Sequence, residues 1–158
     1  MKIFIMRHGD ATIEHSTDAK RCLSELGYLE AKVMAKWLNT KDVKIDAVIA
    51  SPFVRAEQTA KAVIEELTFE PVLQQLDLLT PSGDASRVHD YIDAIIAIEH
   101  YQNILLVSHM PLVSYLLAEL SVEKSSSLFS TAAIAEIDYD TKKMAGHITH
   151  HVSPDDFC

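Results

Sequence analysis

The sequence predicts an α/β fold, a three-layer α/β/α sandwich built on a mostly parallel central sheet. Three short apolar runs, at residues 1–6, 46–51 and 103–108, have the length and composition of buried strands. Segments with apolar residues at helical spacing follow each of the runs. Strands that alternate with amphipathic helices are typical of parallel sheets covered by helices on both faces.

The first strand ends in three residues with useful chemistry. Gly9 interrupts the apolar run and leaves Arg7 and His8 at the carboxyl end of the strand, which is the edge where open α/β sheets bind ligands. His8 supplies a neutral nitrogen nucleophile, and Arg7 supplies a charged fork that matches phosphate. Gly9 allows the backbone to approach a ligand closely.

A polar loop over residues 11–23 precedes the first predicted helix, in which Ser24 is the expected N-cap. The apolar positions that we expect to face the core are Leu26, Leu29 or Glu30, Val33, Trp37 and Leu38. Trp37 is therefore predicted to be a core residue and not a platform for a ligand.

The second strand leads into a helix that we expect to begin at Ser51-Pro52, with the serine hydroxyl as its cap. Arg55 then lies about one turn into the helix and can point back to the sheet edge. The expected core face comprises Ala56, Ala60, Val63 and Leu67. Thr59 is predicted to be a surface residue, with support of Arg55 as the alternative. Residues 71–73 are predicted to form an edge strand, which tolerates Pro71.

A turn-rich loop at residues 77–86 is expected to lie over the site and to lead into a third helix. The apolar positions of that helix are Val88, Tyr91 or Ile92, Ile95 and Ile98. His89 and His100 are predicted to be surface histidines.

The third strand ends in His109, and Pro111 opens a short buried helix. Its apolar positions are Val113, Leu116 or Leu117, and Leu120. Residues 121–130 are predicted to be a loop, and residues 132–139 and 144–152 a hairpin.

Three histidines of this hairpin, His147, His150 and His151, raise the question of a zinc site. Strand alternation places His150 and His151 on opposite faces, and no Cys or Glu completes the set. We therefore expect no metal.

Arg7, His8, Arg55 and His109 thus lie at or just beyond three strand ends, where they indicate a site for an anionic substrate. Arg7-His8-Gly9, Ser51-Pro52 with residues 55–59, and Ser108-His109 resemble the histidine phosphatase superfamily, which has the phosphoglycerate-mutase-like fold. The SixA-type phosphohistidine phosphatases are the more similar group. The further motifs of that resemblance are residues 7–11, Asp18 with Arg21, Leu23-Ser24 with Gly27, and Leu79-Thr80-Pro81 with Gly83-Asp84.

The resemblance covers the chain to about residue 120 and implies a single histidine phosphatase domain over residues 1–158. It implies that His8 accepts a phosphoryl group, and that water hydrolyses the phosphohistidine intermediate. Arg7, Arg55 and His109 would hold the phosphoryl oxygens. Arg21 and Gly9 are the expected substrate-binding residues, with a solvated loop arginine as the alternative for Arg21. Asp18 is expected to position Arg21 or to close the loop.

The expected substrate is a phosphohistidine on a histidine-containing phosphotransfer protein. SixA-type sequences often have Glu where this chain has Leu78, so no general acid carries over, although Asp77 and Asp84 remain candidates. A phosphoramidate has a weak P–N bond and makes less demand on an acid. The alternatives are a small-molecule phosphomonoesterase of the same superfamily and a non-catalytic module that binds phosphoproteins.

The composition excludes several classes of function. The chain has 158 residues, 14 Lys and Arg against 23 Asp and Glu, and a net charge of −9, which argues against nucleic-acid or anionic-membrane binding. No apolar stretch approaches a membrane span, and the first apolar run is too short for a signal peptide. Cys22 and Cys158 form no metal motif or disulfide framework. We expect a cytoplasmic monomer without a cofactor.

Overall fold

A computed structural model describes residues 1–13 and 17–157. Cys158 and part of the predicted polar loop lie outside these residues. Within the described part, six strands form one sheet in the order β3-β2-β4-β1-β5-β6. The strands are β1 (Lys2–Arg7), β2 (Ala47–Ala50), β3 (Val72–Gln75), β4 (Asn103–Ser108), β5 (Ile134–Asp140) and β6 (Ala145–Val152).

The α-helices of the described residues are α1 (Glu25–Asn39), α2 (Val54–Glu66), α3 (Ala85–Glu99) and α4 (Leu112–Leu120). Short 3₁₀ turns occur at Asp18–Lys20, Asp77–Leu79 and Pro154–Phe157. Ser24 caps α1 as predicted, since its side chain accepts a hydrogen bond from the Gly27 amide.

The sheet is mixed, with β5 running against the other five strands. The pairs β1–β4, β2–β4 and β2–β3 are parallel, whereas β5 pairs antiparallel with both β1 and β6. The predicted edge strand and hairpin are confirmed as β3 and as β5–β6. Because β1, β2 and β4 are parallel neighbours, the residues that follow them meet at one edge of the sheet.

Helices cover both faces of the sheet, which confirms the three-layer architecture. Ile3 and Ile5 of β1 pack in one core cluster with residues of α3 and α4. Phe4 and Met6 point to the other face and pack with residues of α1 and α2. All four side chains are fully buried, as expected for a central strand.

The predicted core face of α1 is wrong at Leu26 and Leu29, which are 55% and 61% exposed. The buried residues of α1 are Gly27, Ala31, Met34, Ala35 and Leu38. This face carries small residues because the first turn of α1 packs directly against the backbone after β1. A Cβ on Gly27 would lie 2.1 Å from the Asp10 carbonyl oxygen.

Four further predictions need correction. The helix after Ser51-Pro52 begins at Val54 and has Phe53 as its N-cap, so Ser51 does not cap it. Thr59 is fully buried and donates to the Arg55 carbonyl, so the alternative prediction, support of Arg55, is the correct one. Ile98 is 69% exposed. His89 is not a simple surface histidine, because its ring bonds to the Tyr139 hydroxyl and to the Glu119 carboxylate.

Candidate active site

His8 is held at the centre of the sheet edge. Its amide donates to the Ser108 carbonyl at 3.0 Å, and its own carbonyl accepts from the Ala132 amide at 2.9 Å. The ring Nδ1 lies 2.7 Å from the Gly9 carbonyl oxygen. Because a carbonyl only accepts, Nδ1 carries the proton and Nε2 keeps its lone pair. The backbone thus selects the tautomer in which Nε2 is the nucleophilic nitrogen.

Gly9 is packed too closely for any other residue. A Cβ at this position would lie 2.6 Å from the Gly27 carbonyl oxygen. The Gly9 amide donates to Thr59 Oγ1 at 3.1 Å, and the Thr59 hydroxyl donates to the Arg55 carbonyl at 2.7 Å. The buried Thr59 therefore connects the backbone beside His8 with the first turn of α2.

Arg55 reaches His8 from the first turn of α2 and is 4% exposed. Its Nε donates to His8 Nε2 at 3.3 Å. The terminal nitrogens Nη1 and Nη2 donate to the carbonyl and carboxylate of Asp18 at 2.7 and 3.2 Å. The guanidinium also lies over the Phe53 ring, 5.3 Å from its centroid. Arg55 is therefore a fixed cation next to the nucleophilic nitrogen.

His109 lies on the other side of His8, with the two ring centroids 5.1 Å apart. Its Nε2 bonds to Ser51 Oγ at 2.8 Å, and the Phe53 ring packs edge-on at 5.2 Å. Its Nδ1 is buried and has no hydrogen-bond partner among the described residues.

Arg7 completes the group. Its Nη1 donates to the Phe129 carbonyl at 2.8 Å, whereas its Nε is buried and has no partner among the described residues. Buried polar atoms are usually satisfied. When the Ser51 hydroxyl donates to His109 Nε2, the proton of the neutral ring is on Nδ1, so this nitrogen and Arg7 Nε point to a ligand that accepts hydrogen bonds. A tetrahedral oxyanion has that chemistry.

Arg21 lies at the outer part of the site, where its Nε donates to the Thr12 carbonyl at 2.8 Å. Its Nη1 pairs with the Asp18 carboxylate at 3.1 Å, as the sequence predicted for Asp18. Its positive charge is one of those that lower the pKa of His8. The hydrogen bonds from Arg21 and Arg55 hold the pKa of Asp18 below its ordinary value, although desolvation acts to raise it.

Both histidines are neutral near pH 7. The pKa of His8 is lowered to about 4, mainly by burial and also by the nearby arginines, against the opposing effect of the hydrogen bond to Gly9. Burial also lowers the pKa of His109 to about 3, with help from His8 and Arg55. The nucleophilic lone pair of His8 is therefore available over the whole physiological range.

The chain is similar to known proteins. A model of the histidine phosphatase superfamily (branch 1) matches residues 3–79. Phosphohistidine phosphatase SixA from Escherichia coli strain K12 is 41% identical over 140 residues, which cover 89% of this chain and 86% of that protein. The chain belongs to the histidine phosphatase superfamily. It is a phosphatase of this superfamily, as the sequence predicted.

Two more relatives support this membership along the whole chain. A SixA homolog from Haemophilus influenzae is 34% identical over 161 residues, covering 98% of this histidine phosphatase and 97% of the homolog. A solved structure of the protein histidine phosphatase SixA complexed with tungstate is 39% identical, has a TM-score of 0.94 and covers both chains completely.

The loop at residues 77–86 is fastened to the end of β4 in this histidine phosphatase. The Ser108 hydroxyl donates to the Leu79 carbonyl at 2.7 Å. The Asp84 carboxylate accepts from the Ser86 amide at 2.9 Å and so caps α3. Asp84, one of the two candidate general acids, thus has a structural function.

Two further results concern the whole described part of the chain. No three side chains of His, Cys, Asp or Glu in residues 1–13 and 17–157 converge as metal ligands. His150 instead bonds to Glu136, and His151 packs against the Phe129 ring. No described helix is both long and apolar enough to cross a membrane.

Three contributors to the histidine phosphatase site are not evident from the sequence: the Ser51 hydroxyl that bonds to His109, the Phe53 ring against Arg55, and the Phe129 carbonyl that accepts from Arg7. Proximity to Arg55 along the chain could have drawn attention to Phe53. Phe129 is 122 residues from Arg7 in sequence, and only the fold brings the two together.

Proposed function

We propose that this protein is a phosphohistidine phosphatase that dephosphorylates a histidine-containing phosphotransfer protein through a phosphorylated His8. One observation carries the proposal. His8 presents an unprotonated Nε2, and two buried nitrogens without partners among the described residues, Arg7 Nε and His109 Nδ1, belong to its neighbours. A nucleophile beside unpaired hydrogen-bond donors suits transfer of a phosphoryl group.

The reaction has two steps. Nε2 of His8 attacks the phosphorus in line, the P–N bond to the substrate imidazole breaks, and that imidazole takes up a proton from solvent. Water then attacks the phosphorus and gives up a proton to solvent, the P–N bond to His8 breaks, orthophosphate leaves, and Nε2 regains its lone pair. As the new P–N bond takes up the Nε2 lone pair, Arg55 Nε, which donates to Nε2 in this structure, donates instead to a phosphoryl oxygen.

Two arginines and the neutral His109 stabilise the transition state. Arg7, Arg55 and His109 donate to the equatorial oxygens as negative charge is redistributed. Each charge-assisted hydrogen bond contributes roughly 1.5–3 kcal/mol. Arg21, which interacts with Asp18 in this structure, supplies further positive potential and is the proposed outer contact for the substrate.

The relatives support phosphohistidine as the substrate. Two proteins that are 41% and 34% identical to this chain are named for phosphohistidine phosphatase. A protein with a TM-score of 0.94 to this structure forms a complex with tungstate, a tetrahedral oxyanion like phosphate. A weak P–N bond also suits a site in which Asp84 is used to cap a helix.

Exposed apolar residues beside the site favour a protein substrate. Leu26 and Leu29 flank the helix turn that packs against Gly9 and Asp10. Ile13 follows Thr12, which bonds Arg21, and Leu128 precedes Phe129, which bonds Arg7. We call these four residues the apolar rim; their exposed fractions are Ile13 85%, Leu26 55%, Leu29 61% and Leu128 79%. Because each of the four is a sequence neighbour of a residue in the site or its support, we propose that they contact the protein substrate.

The function is tested by measuring kcat/KM for a phosphorylated phosphotransfer protein, a panel of sugar phosphates and an aryl phosphate. We expect a strong preference for the phosphoprotein. Preference for a small ester would be consistent with His8 as the nucleophile but would contradict the proposed substrate. Asp77 would then be the next candidate for the general acid. Binding without turnover of any compound would favour the non-catalytic module. The proposal includes one catalytic domain over residues 1–158, acting as a cytoplasmic monomer.

A further inference from the structure

Asp18 shares its carboxylate between two arginines of the site. Oδ2 lies 3.2 Å from Nη2 of Arg55, and Oδ1 lies 3.1 Å from Nη1 of Arg21. The Asp18 carbonyl also accepts from Nη1 of Arg55 at 2.7 Å. The side chain of Asp18 is 57% exposed, whereas that of Arg55 is 5% exposed. An exposed anion therefore covers a buried cation that lies beside His8.

An incoming phosphate needs the same donors. Of the five N–H groups of Arg55, one faces His8 and two face Asp18. Carboxylate and phosphate are the two anions that fit a guanidinium fork, so they compete for it. A phosphate that binds beside an undisplaced Asp18 is also repelled by its negative charge.

We infer that Asp18 is an internal counter-anion that weakens the hold of this site on free phosphate and thereby favours product release. The inference rests on the proposed function, in which orthophosphate is the product. A pocket with Arg7, Arg21 and Arg55 would otherwise retain a small multivalent anion, and Asp18 returns to the arginines as the product leaves.

The sign of the effect separates this inference from a purely positioning role. If Asp18 served only to orient Arg55 and Arg21, its loss would loosen both arginines and weaken anion binding. If it is a competing anion, its neutralisation strengthens binding. Asp18→Asn is the suitable variant because the amide keeps an oxygen acceptor at the same position and removes the charge.

The experiment is calorimetric titration of the wild-type protein and of Asp18→Asn with orthophosphate and with tungstate. We expect the variant to bind both anions about three- to tenfold more tightly, since two ion pairs of modest strength are removed. The matched control is Asp138→Asn. Asp138 has a similarly exposed carboxylate, 60%, but lies opposite Lys2 at the other edge of the sheet. This control should leave both affinities unchanged.

Unchanged or weaker anion binding by Asp18→Asn overturns the inference, as does an equal gain in Asp138→Asn. Asp18→Ser repeats the test if the asparagine variant melts at a lower temperature than the wild type. Binding is measured without turnover, so failure of the two proposals can be told apart. If the wild-type protein hydrolyses phosphohistidine but Asp18→Asn binds anions no more tightly, only the counter-anion inference is wrong. If the wild-type protein does not hydrolyse phosphohistidine but Asp18→Asn binds anions more tightly, only the proposed function is wrong.

Discussion

Two charged clusters of this protein differ in which partner is buried, the cation or the anion. At the site, the three cations Arg7, Arg21 and Arg55 have one ion-pairing carboxylate among the described residues, that of the exposed Asp18. At the outer strands, the single carboxylate of Glu136 is 1% exposed and has three basic partners at the surface. These partners are Lys2 at 3.6 Å, Lys41 at 3.2 Å and His150 at 3.1 Å.

The difference in burial indicates what each cluster can do. A buried Glu136 is fixed, and its partners close over it, so the cluster stabilises the fold and offers nothing to a ligand. A buried Arg55 is equally fixed, but its partner Asp18 can be displaced by a stronger anion from solvent. A buried cation with an exposed, displaceable anion can thus bind phosphate, whereas a buried anion with exposed basic partners stabilises the fold.

The largest expected effect is that of His8→Ala. We expect kcat to fall by about 10³-fold or more, because the attacking nitrogen is removed. Orthophosphate binding should persist, since the arginines remain. Turnover of the phosphoprotein and calorimetry with orthophosphate measure the two quantities, and retention of most of the turnover would refute the role of His8.

Arg55→Ala is expected to lower kcat/KM by about tenfold to a hundredfold or more, because one or two charge-assisted hydrogen bonds are lost. Arg87→Ala, at an exposed position of α3, is the matched control and should retain full activity. Thermal melting of both variants checks that the fold persists. Equal activity of the two variants would contradict the assignment of Arg55.

Glu136→Gln tests whether the Glu136 cluster affects stability without affecting activity. We expect the free energy of unfolding to fall by about 2 kcal/mol, because three basic groups lose their buried partner. The expected kcat is unchanged. Denaturant unfolding and steady-state kinetics measure the two effects, with Asp138→Asn as the exposed control. A stable but inactive Glu136→Gln variant would mean that the two clusters are coupled.

The protonation of His8 should depend on pH differently from that of an exposed histidine. The pKa of His8 is lowered to about 4 from an ordinary value of 6.5, so the imidazole stays neutral as the pH falls from 7 to 5. NMR titration of the ring should show a midpoint near 4. Because the unfolded chain takes up these protons first, His8 and His109 should also make the protein less stable as the pH falls from 6.5 towards 4. A midpoint near 6.5 would show that burial does not tune His8.

The smallest expected effect concerns the apolar rim. Leu29→Ser should lower kcat/KM for the phosphoprotein about three- to tenfold, with no change for an aryl phosphate. Ile98→Ser is the control, since Ile98 is 69% exposed at the end of α3 that leads to the amino end of β4. An equal loss for both substrates would argue against docking at the rim.

Local patterns were sufficient to predict most of the fold. The apolar runs that became β1, β2 and β4 could hardly be anything but buried strands, and Ser24 was recognisable as a cap. The face of α1 was predicted wrongly because the helix carries two apolar stripes. Periodicity favours the stripe with larger side chains, Leu26 and Leu29, whereas the close approach of α1 to Gly9 requires the smaller one.

The site was predictable where its residues follow strands and less so elsewhere. Arg7, His8, Arg55 and His109 come together because their strands are parallel neighbours. The surface position predicted for Thr59 and the capping role predicted for Ser51 were wrong. A hydroxyl on a helix or at its start can face solvent, cap the helix or bond to another group, and the sequence pattern is the same in each case. The burial of Arg55 beneath an exposed Asp18 depends on side-chain packing, so it could not be predicted from the spacing of residues in the sequence.

Trapping the phosphorylated intermediate would show directly whether His8 is the nucleophile. The protein would be mixed with a phosphotransfer protein carrying ³²P on its histidine, quenched rapidly in alkali and digested for peptide mapping. We predict a label that is stable to alkali and labile to acid, located on His8 and missing from His8→Ala. Rapid release of orthophosphate with no label on His8, or with the label on another residue, would contradict the central claim.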